Sequence, residues 1–425
     1  MTTNKNKLIS AVTSVKLRDN SKWTLFGDSI TAQNNFSDAS HNSANSRGFF
    51  TWANIYSGGT ESVVNNAGVG GEKTSDMLAR IQDDVLMRSS GIVFVLAGIN
   101  DIFAGVSEDI ITANLNAIYK KILAQGKNLH IATITSSTAI NTTAKKETLH
   151  AVNQWIRAFA RDNKHVMFTD FHGVLLNPAD ANGYPYTTYM YDSQTHPNTS
   201  GGQALGKAVY QTWVDYGRLS RNKVYASLTD VLSATHLFGN PVTNPIMQGT
   251  GGGNIASGAS GSVAASWNNM VTGTTVSAVA SKVARTDLPG YEWQQIVHTF
   301  TTSGANYFFQ SSGDLSSIVN VGDTYRALIE MEMSNLAFIT GIEVGIECDD
   351  LAGNLISQNY GFHDSQSNVA FGAAGGVKDF SGVIATPEFK IPAGFKKFKP
   401  QVVVYGGAGG TATIRVGRID LRKVY

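Results

Sequence analysis

Five short apolar runs, each separated from the next by text with helical spacing, constrain the first half of this chain more than any other feature. The runs cover residues 23–26, 62–64, 92–96, 129–134 and 166–168. Between them Leu78, Ile81 and Val85 recur at i, i+3, i+7, and Ile111, Leu115, Ile118 and Ile122 at i, i+4, i+7, i+11. Leu149, Val152, Ile156 and Phe159 repeat the pattern, which is that of an apolar helix stripe. Ser107 stands where an N-cap is needed, with Glu108 and Asp109 in the following turn. Strands that are apolar throughout and alternate with helices predict a parallel sheet covered on both faces. Such a sheet binds ligands outside the carboxyl ends of its strands, so chemistry is expected in the loops after the runs.

The text changes after residue 218. From Gly249 a glycine-rich, turn-like lead-in gives way to stretches of partial period-two alternation, at 325–333, 342–347 and 411–421. Glycine, 43 of 425 residues, supplies frequent punctuation, and only 15% of the chain is charged. Alternation with turns every ten or so residues predicts an antiparallel sandwich or jelly roll. The expected organisation is an N-terminal segment 1–22, an α/β domain 23–218, a linker 219–240 that carries apolar residues able to pack, and an all-β domain 241–425.

Charge excludes one class of partner. Residues 1–220 hold 19 Lys and Arg against 17 Asp and Glu, and residues 221–425 hold 14 against 15, so neither half has the basic excess that binds nucleic acid. No run of about 18 apolar residues predicts a membrane span, and the apolar stretch near residues 8–12 is too short for a signal-peptide core. Cys348 stands alone and can form neither an intrachain disulfide nor a cysteine-based metal site.

Four polar clusters fall where the topology expects chemistry. Gly27-Asp28-Ser29-Ile30 follows the first run, and Asn66-Ala67-Gly68-Val69-Gly70-Gly71-Glu72 the second. Gly98-Ile99-Asn100-Asp101 follows the third, and Asp192-Ser193-Gln194-Thr195-His196-Pro197-Asn198 precedes the last helical stretch, 202–216. A Gly-Asp-Ser triplet alone is weak, since chance gives it in about one chain in ten of this length. Four clusters at the expected places are a joint signal. Acyl transfer needs a nucleophile activated by a base, and donors aimed at the oxyanion. Ser29 is the candidate nucleophile and His196 the candidate base. The Ser29 N–H, a glycine N–H of the second cluster and the Asn100 amide are the candidate donors.

These clusters, in this order across residues 23–216, resemble the sequence blocks of the SGNH (GDSL-type) hydrolases. The resemblance implies a flavodoxin-like α/β/α domain, ester cleavage by serine, and no metal or organic cofactor. It makes Ser29 the nucleophile, Gly71 and Asn100 oxyanion-hole residues, and His196 the base, with Asp28 and Asp101 holding the loops. The family's acid stands three residues before its histidine, where this chain has Ser193. Either the loop bulges by one residue and Asp192 orients His196, the favoured reading, or a Ser–His dyad works with the help of a carbonyl.

Plainer roles compete for other residues. His130, His150, His165 and His172 suit packing or surface positions. Gly201–Lys207 approaches a phosphate-binding loop but ends in Ala208 and follows no strand, so that reading fails. Cys348 suits a packed thiol. The aromatics of the second half, among them Trp267, Trp293, Tyr307 and Phe309, suit a core better than a sugar platform.

An esterase joined to a β-module resembles bacteriophage tailspike or tail-fibre proteins that deacetylate host polysaccharide. This implies an O-acetyl esterase for a bacterial surface polysaccharide, on a virion tail or outside the cell, as a homotrimer, with no nucleic-acid or membrane partner. The alternatives are a general esterase or lipase for small esters, and a glycan-binding adhesin without turnover. The polar text at 31–45 favours carbohydrate over lipid.

Overall fold

The computed structural model describes residues 21–34, 36–38, 43–192, 195–218, 224–272, 276–301, 306–336, 339–354, 358–363, 379–386, 388–406 and 409–424. Residues 1–20 of the N-terminal segment, residues 219–223 and Ser193 therefore lie outside the described residues. The chain forms two compact units. The first comprises Met1–Thr31, Glu61–Ile134 and Thr142–Thr169; the second comprises Ala32–Thr60, Thr135–Asn141 and Asp170–Tyr425.

The first unit holds a five-stranded parallel sheet. Its strands are β1 (Lys22–Gly27), β2 (Ser62–Gly68), β3 (Ile92–Leu96), β4 (Asn128–Ala132) and β5 (Met167–Thr169), in the order β2-β1-β3-β4-β5. This is the flavodoxin-type order, whose chain direction across the sheet reverses between β1 and β3. β3 is buried along its whole length, as an apolar central strand must be. β2 is an edge strand: its Val63 and Val64 are 40% and 39% exposed, and it runs on through polar residues to Gly68. The register aligns Gly27 with both Gly68 and Leu96, so the three carboxyl ends finish level.

Helices Thr74–Ile81, Glu108–Ala124 and Thr143–Asp162 occupy the periodic stretches. In the first of these Met77, not Leu78, takes the buried position with Ile81, and Val85 follows in a wider π-helical turn, Gln82–Leu86. The buried stripe thus runs at i, i+4, i+8 in place of the expected i, i+3, i+7. Ser107 occupies the N-cap with extended backbone, but its side chain makes no capping hydrogen bond; Glu108 and Asp109 supply the favourable charge in the first turn.

The second unit contains two large β-sheets. One runs in the order Gly251–Ile255, Val263–Thr272, Asn306–Ser311, Phe395–Gly406, Ile339–Asp350, Gln358–His363, then the short strands Ser43–Asn45 and Phe36–Asp38. The other runs Ala259–Gly261, Val276–Ala284, Glu292–Phe300, Gly410–Val424, Thr324–Ser334, Phe380–Ala385. Most pairings are antiparallel, and alternation is strict where Thr324–Ser334 buries every second residue. Trp267, Tyr307 and Phe309 are core residues and Trp293 is 95% buried, so the aromatics with described side chains mainly fill the interior. Tyr360 and Phe362 have no described side chains. The glycine-rich lead-in differs from the turn expected there: Gly251–Ile255 pairs in parallel with Val263–Thr272. Glycine permits this because a Cβ on Gly252 would stand 2.2 Å from the Ala264 carbonyl oxygen.

Residues 224–240 pack as their apolar content suggested. Val224 and Ala226 are buried with Ile246, the Asn240 amide donates to the Ile419 carbonyl at 2.8 Å, and Arg422 pairs with Asp230. The same unit carries helices Phe49–Tyr56 and Thr199–Asp215, which pack on each other. Their contact explains the glycines of the false phosphate loop. A Cβ on Gly202 would stand 2.3 Å from the Arg47 carbonyl oxygen, and one on Gly206 would stand 2.4 Å from the Trp52 Cβ. Trp52 in turn sets its ring edge-on to Phe380 at 5.2 Å and joins the sandwich core with Ile55.

Candidate active site

β1 ends in a turn that only glycine permits. A Cβ on Gly27 would stand 2.1 Å from Thr31 Oγ1 and 2.4 Å from the Leu96 carbonyl oxygen. The chain then tightens: buried Asp28 accepts the Ile30 N–H at 2.9 Å, and Ser29 opens the short helix Ser29–Ala32, half-buried. The loop after β2 lies against it. The Val69 N–H donates to the Gly27 carbonyl at 3.0 Å, and a Cβ on Gly70 would stand 3.8 Å from the Ser29 Cβ. Gly71 is exposed, with φ of 81°, a left-handed conformation that favours glycine.

The loop after β3 completes the group. Gly98, with φ of 117°, starts the helix Ile99–Phe103, which carries Asn100 and Asp101 in its first turn. The Asn100 amide donates to the Glu72 carbonyl at 2.9 Å, which ties it to the residue after Gly71 and leaves a second N–H on the same nitrogen. Asp101, 1% exposed, accepts from the Thr74 N–H at 2.8 Å and from the Thr74 hydroxyl at 2.7 Å. Burial pushes its carboxyl above the ordinary range, and the Thr74 bonds oppose that rise. Asp28 and Asp101 thus hold the loops, as expected.

Arg80 lies outside the residues singled out above. Its guanidinium pairs with Glu72 at 2.6 Å and Asp84 at 2.7 Å, donates to the carbonyls of Ala67 at 2.9 Å and Gly27 at 3.3 Å, and lies 4.8 Å from the Phe26 ring centroid. It therefore clamps the ends of β1 and β2 to the loop carrying Gly71. Glu72 eight residues earlier was the available signal, but the contact depends on how the loop folds back. Asn66 adds a second tie through its amide to the Thr31 carbonyl at 3.2 Å.

His196 and Asp192 belong to the second unit. His196–Pro197 pairs antiparallel with Met190–Asp192, the register setting Asp192 opposite His196, with an irregularity between Met190 and Asp192. Asn198 fixes this hairpin to the helix behind it. Its side chain caps Thr199–Asp215 by accepting the Gly201 N–H at 3.0 Å, while its amide donates to the carbonyls of Thr188 at 3.0 Å and Met190 at 3.2 Å. His196 is half-buried. The structure thus brings Ser29, Gly71 and Asn100 to one place in the first unit, and pairs Asp192 with His196 by backbone register in the second.

The other histidines and the cysteine take plain roles. His130 is buried, bonded to Thr169 Oγ1 at 2.8 Å and packed on Phe94, while His150 and His165 are exposed. Cys348 is buried and its thiol is pushed up to about 11 by burial, so it is a poor nucleophile. Among the described residues no cluster of His, Cys, Asp or Glu could hold a metal ion.

Residues 25–204 match the model of the GDSL-like lipase/acylhydrolase family. Among solved structures, a lipolytic protein of the G-D-S-L family from Desulfitobacterium hafniense is 19% identical, covering 45% of this chain and 99% of its own, with a TM-score of 0.38. A GDSL-like lipase from Bacteroides thetaiotaomicron is 18% identical over 50% of this chain and 97% of its own, with a TM-score of 0.39. An acetyl-xylooligosaccharide esterase from Geobacillus is 18% identical over 46% and 95%, with a TM-score of 0.37. No curated protein matches the chain by sequence.

Proposed function

From a GDSL-like lipase/acylhydrolase region at residues 25–204, we propose that the chain is a serine esterase that removes O-acetyl groups from a bacterial surface polysaccharide. The observation that carries this reading is the convergence of the three strand ends: Gly70 against Ser29, and Asn100 tied to Glu72 beside Gly71.

Ser29 Oγ attacks the acetyl carbonyl carbon while His196 takes the hydroxyl proton. The carbonyl oxygen becomes an oxyanion and receives the N–H groups of Ser29 and Gly71 and the free Asn100 amide hydrogen. As the C–O bond to the sugar breaks, His196 returns the proton to the sugar oxygen. Water, deprotonated by His196, then attacks acetyl-Ser29; the bond to Ser29 Oγ breaks, His196 returns the proton to that oxygen and acetate leaves. The register of Asp192 opposite His196 supports Asp192 as the residue that orients the base. Asp192→Ala therefore weakens turnover without reducing it to the level of Ser29→Ala, as paired kcat measurements would show.

The polysaccharide substrate is supported by the polar text after Ser29 and by the sandwich that accompanies the hydrolase region. Together with low charge and abundant glycine, these features support a role as a homotrimeric component of a bacteriophage tail, acting at the host surface. The deciding experiment is acetate release from purified O-acetylated capsular polysaccharides, wild type against Ser29→Ala. Release by wild type alone supports the reading. Cleavage of short aryl esters without release from any glycan leaves a general esterase; glycan binding without turnover on either substrate leaves an adhesin.

A further inference from the structure

We propose that the groove between helices Glu108–Ala124 and Thr143–Asp162 is a second carbohydrate site, which holds a neutral oligosaccharide away from Ser29. The groove is a cavity of about 460 Å³, large enough for sugar rings. Both helices offer it one face, through Asp109, Thr112 and Asn116 on the first and Trp155, Phe159 and Asp162 on the second.

Its wall is aromatic and rigid. Trp155 and Phe159 are half-buried, their ring centroids 5.5 Å apart, and both rest on fully buried Tyr119, at 6.0 Å and 5.0 Å. Rings held in this way lose little freedom when a ligand stacks on them. Thr112, Asp162 and Asn163 are engaged with Glu108, Arg161 and Phe159, and the rest of the polar lining is open. Among the described residues, the Asp109 carboxylate, the Asn116 amide and the Trp155 indole N–H make no hydrogen bond, which leaves acceptors and donors beside an apolar face.

The lining also selects against other ligands. It contains no Lys or Arg, Asp162 is already paired with Arg161 at 3.0 Å, and the Asp109 carboxylate repels a phosphate or sulfate. It offers too few ligands for a metal ion, and too much polarity for an acyl chain. A neutral sugar satisfies every element, with C–H faces on Trp155 and hydroxyls on Asp109 and Asn116. This assignment stands on the groove alone and does not depend on ester hydrolysis.

The test titrates unacetylated xylohexaose, cellohexaose and mannohexaose into the full chain, followed by calorimetry and tryptophan fluorescence. At least one should bind, with Trp155→Ala weakening it about tenfold or more and Asn116→Ala weakening it severalfold. Hydrolysis of 4-nitrophenyl acetate should stay unchanged in both variants, which also reports folding. Binding of none of the three sugars, or binding indifferent to both substitutions, overturns the proposal. A change of molar mass in light scattering for Trp155→Ala, with sugar binding intact, would instead make the groove a contact between copies of the chain.

Discussion

The polar groups around Ser29 in the first unit and those around His298 in the second do opposite things. In the first, Asp28, Asp101 and Arg80 use their hydrogen bonds to fix the loops around Ser29. In the sandwich, His298 is fully buried between Phe300, stacked at 5.8 Å, and Tyr307, edge-on at 4.2 Å, and neither ring nitrogen has a hydrogen-bond partner among the described residues. The Tyr307 hydroxyl beside it is likewise unpaired. Burial raises Asp101 against opposing bonds, whereas nothing opposes it at His298, which is pushed down to about 3. The same physical cost is thus spent on positioning around Ser29 and left uncompensated at His298 and Tyr307.

The largest effect expected from this contrast is on catalysis. Asn100→Ala should lower kcat by about 10²–10³ with little change in folding, because it removes one of the oxyanion donors proposed above. Steady-state kinetics on an acetyl ester checks this, and an unchanged kcat would separate Asn100 from the oxyanion. Asp101→Ala leaves the Thr74 N–H and hydroxyl without their acceptor, and should cost about 1–3 kcal/mol in chemical denaturation. The loop bearing Gly71 loosens with it, so kcat should fall as well, by less than in Asn100→Ala.

The effect expected in the sandwich is a pH dependence. An unfolded His298 takes up a proton near its ordinary value of 6.5, and the folded one only near 3. The unfolded state therefore binds more protons between these values, so stability is complete above about pH 6.5 and falls as pH drops through that window. The slope is about 1.4 kcal/mol per pH unit. His298→Phe keeps the ring and should flatten this slope between pH 6.5 and 4.5 in denaturation of the full chain. An unchanged slope would mean that the folded histidine accepts its proton readily.

Legibility in the sequence followed the same divide between local and distant causes. Strands β1, β3 and β4 were readable because both their faces are buried, which leaves runs without alternation. The clusters around Ser29 and Asn100 were readable because glycine and short polar residues there answer to local backbone needs. Helix Phe49–Tyr56 escaped notice since it buries six of its eight residues and so shows no stripe. Strands Phe36–Asp38 and Ser43–Asn45 escaped because they are short: they pair with each other, and Ser43–Asn45 joins the sheet through Gln358–His363, more than 300 residues away. Arg80 escaped because four chain segments must converge before its contacts exist.

The seat of Trp52 against Phe380 sets a timetable for synthesis. Trp52 leaves the ribosome about 330 residues before the strand that covers it. At about 5–20 residues per second, that interval lasts tens of seconds. Over this time Trp52 and Ile55 lack their final cover, and the nascent chain presents an adhesive apolar surface. Cells making this protein should therefore yield more soluble product when elongation is fast or a chaperone shields the early helix, and less when ribosomes stall before residue 380.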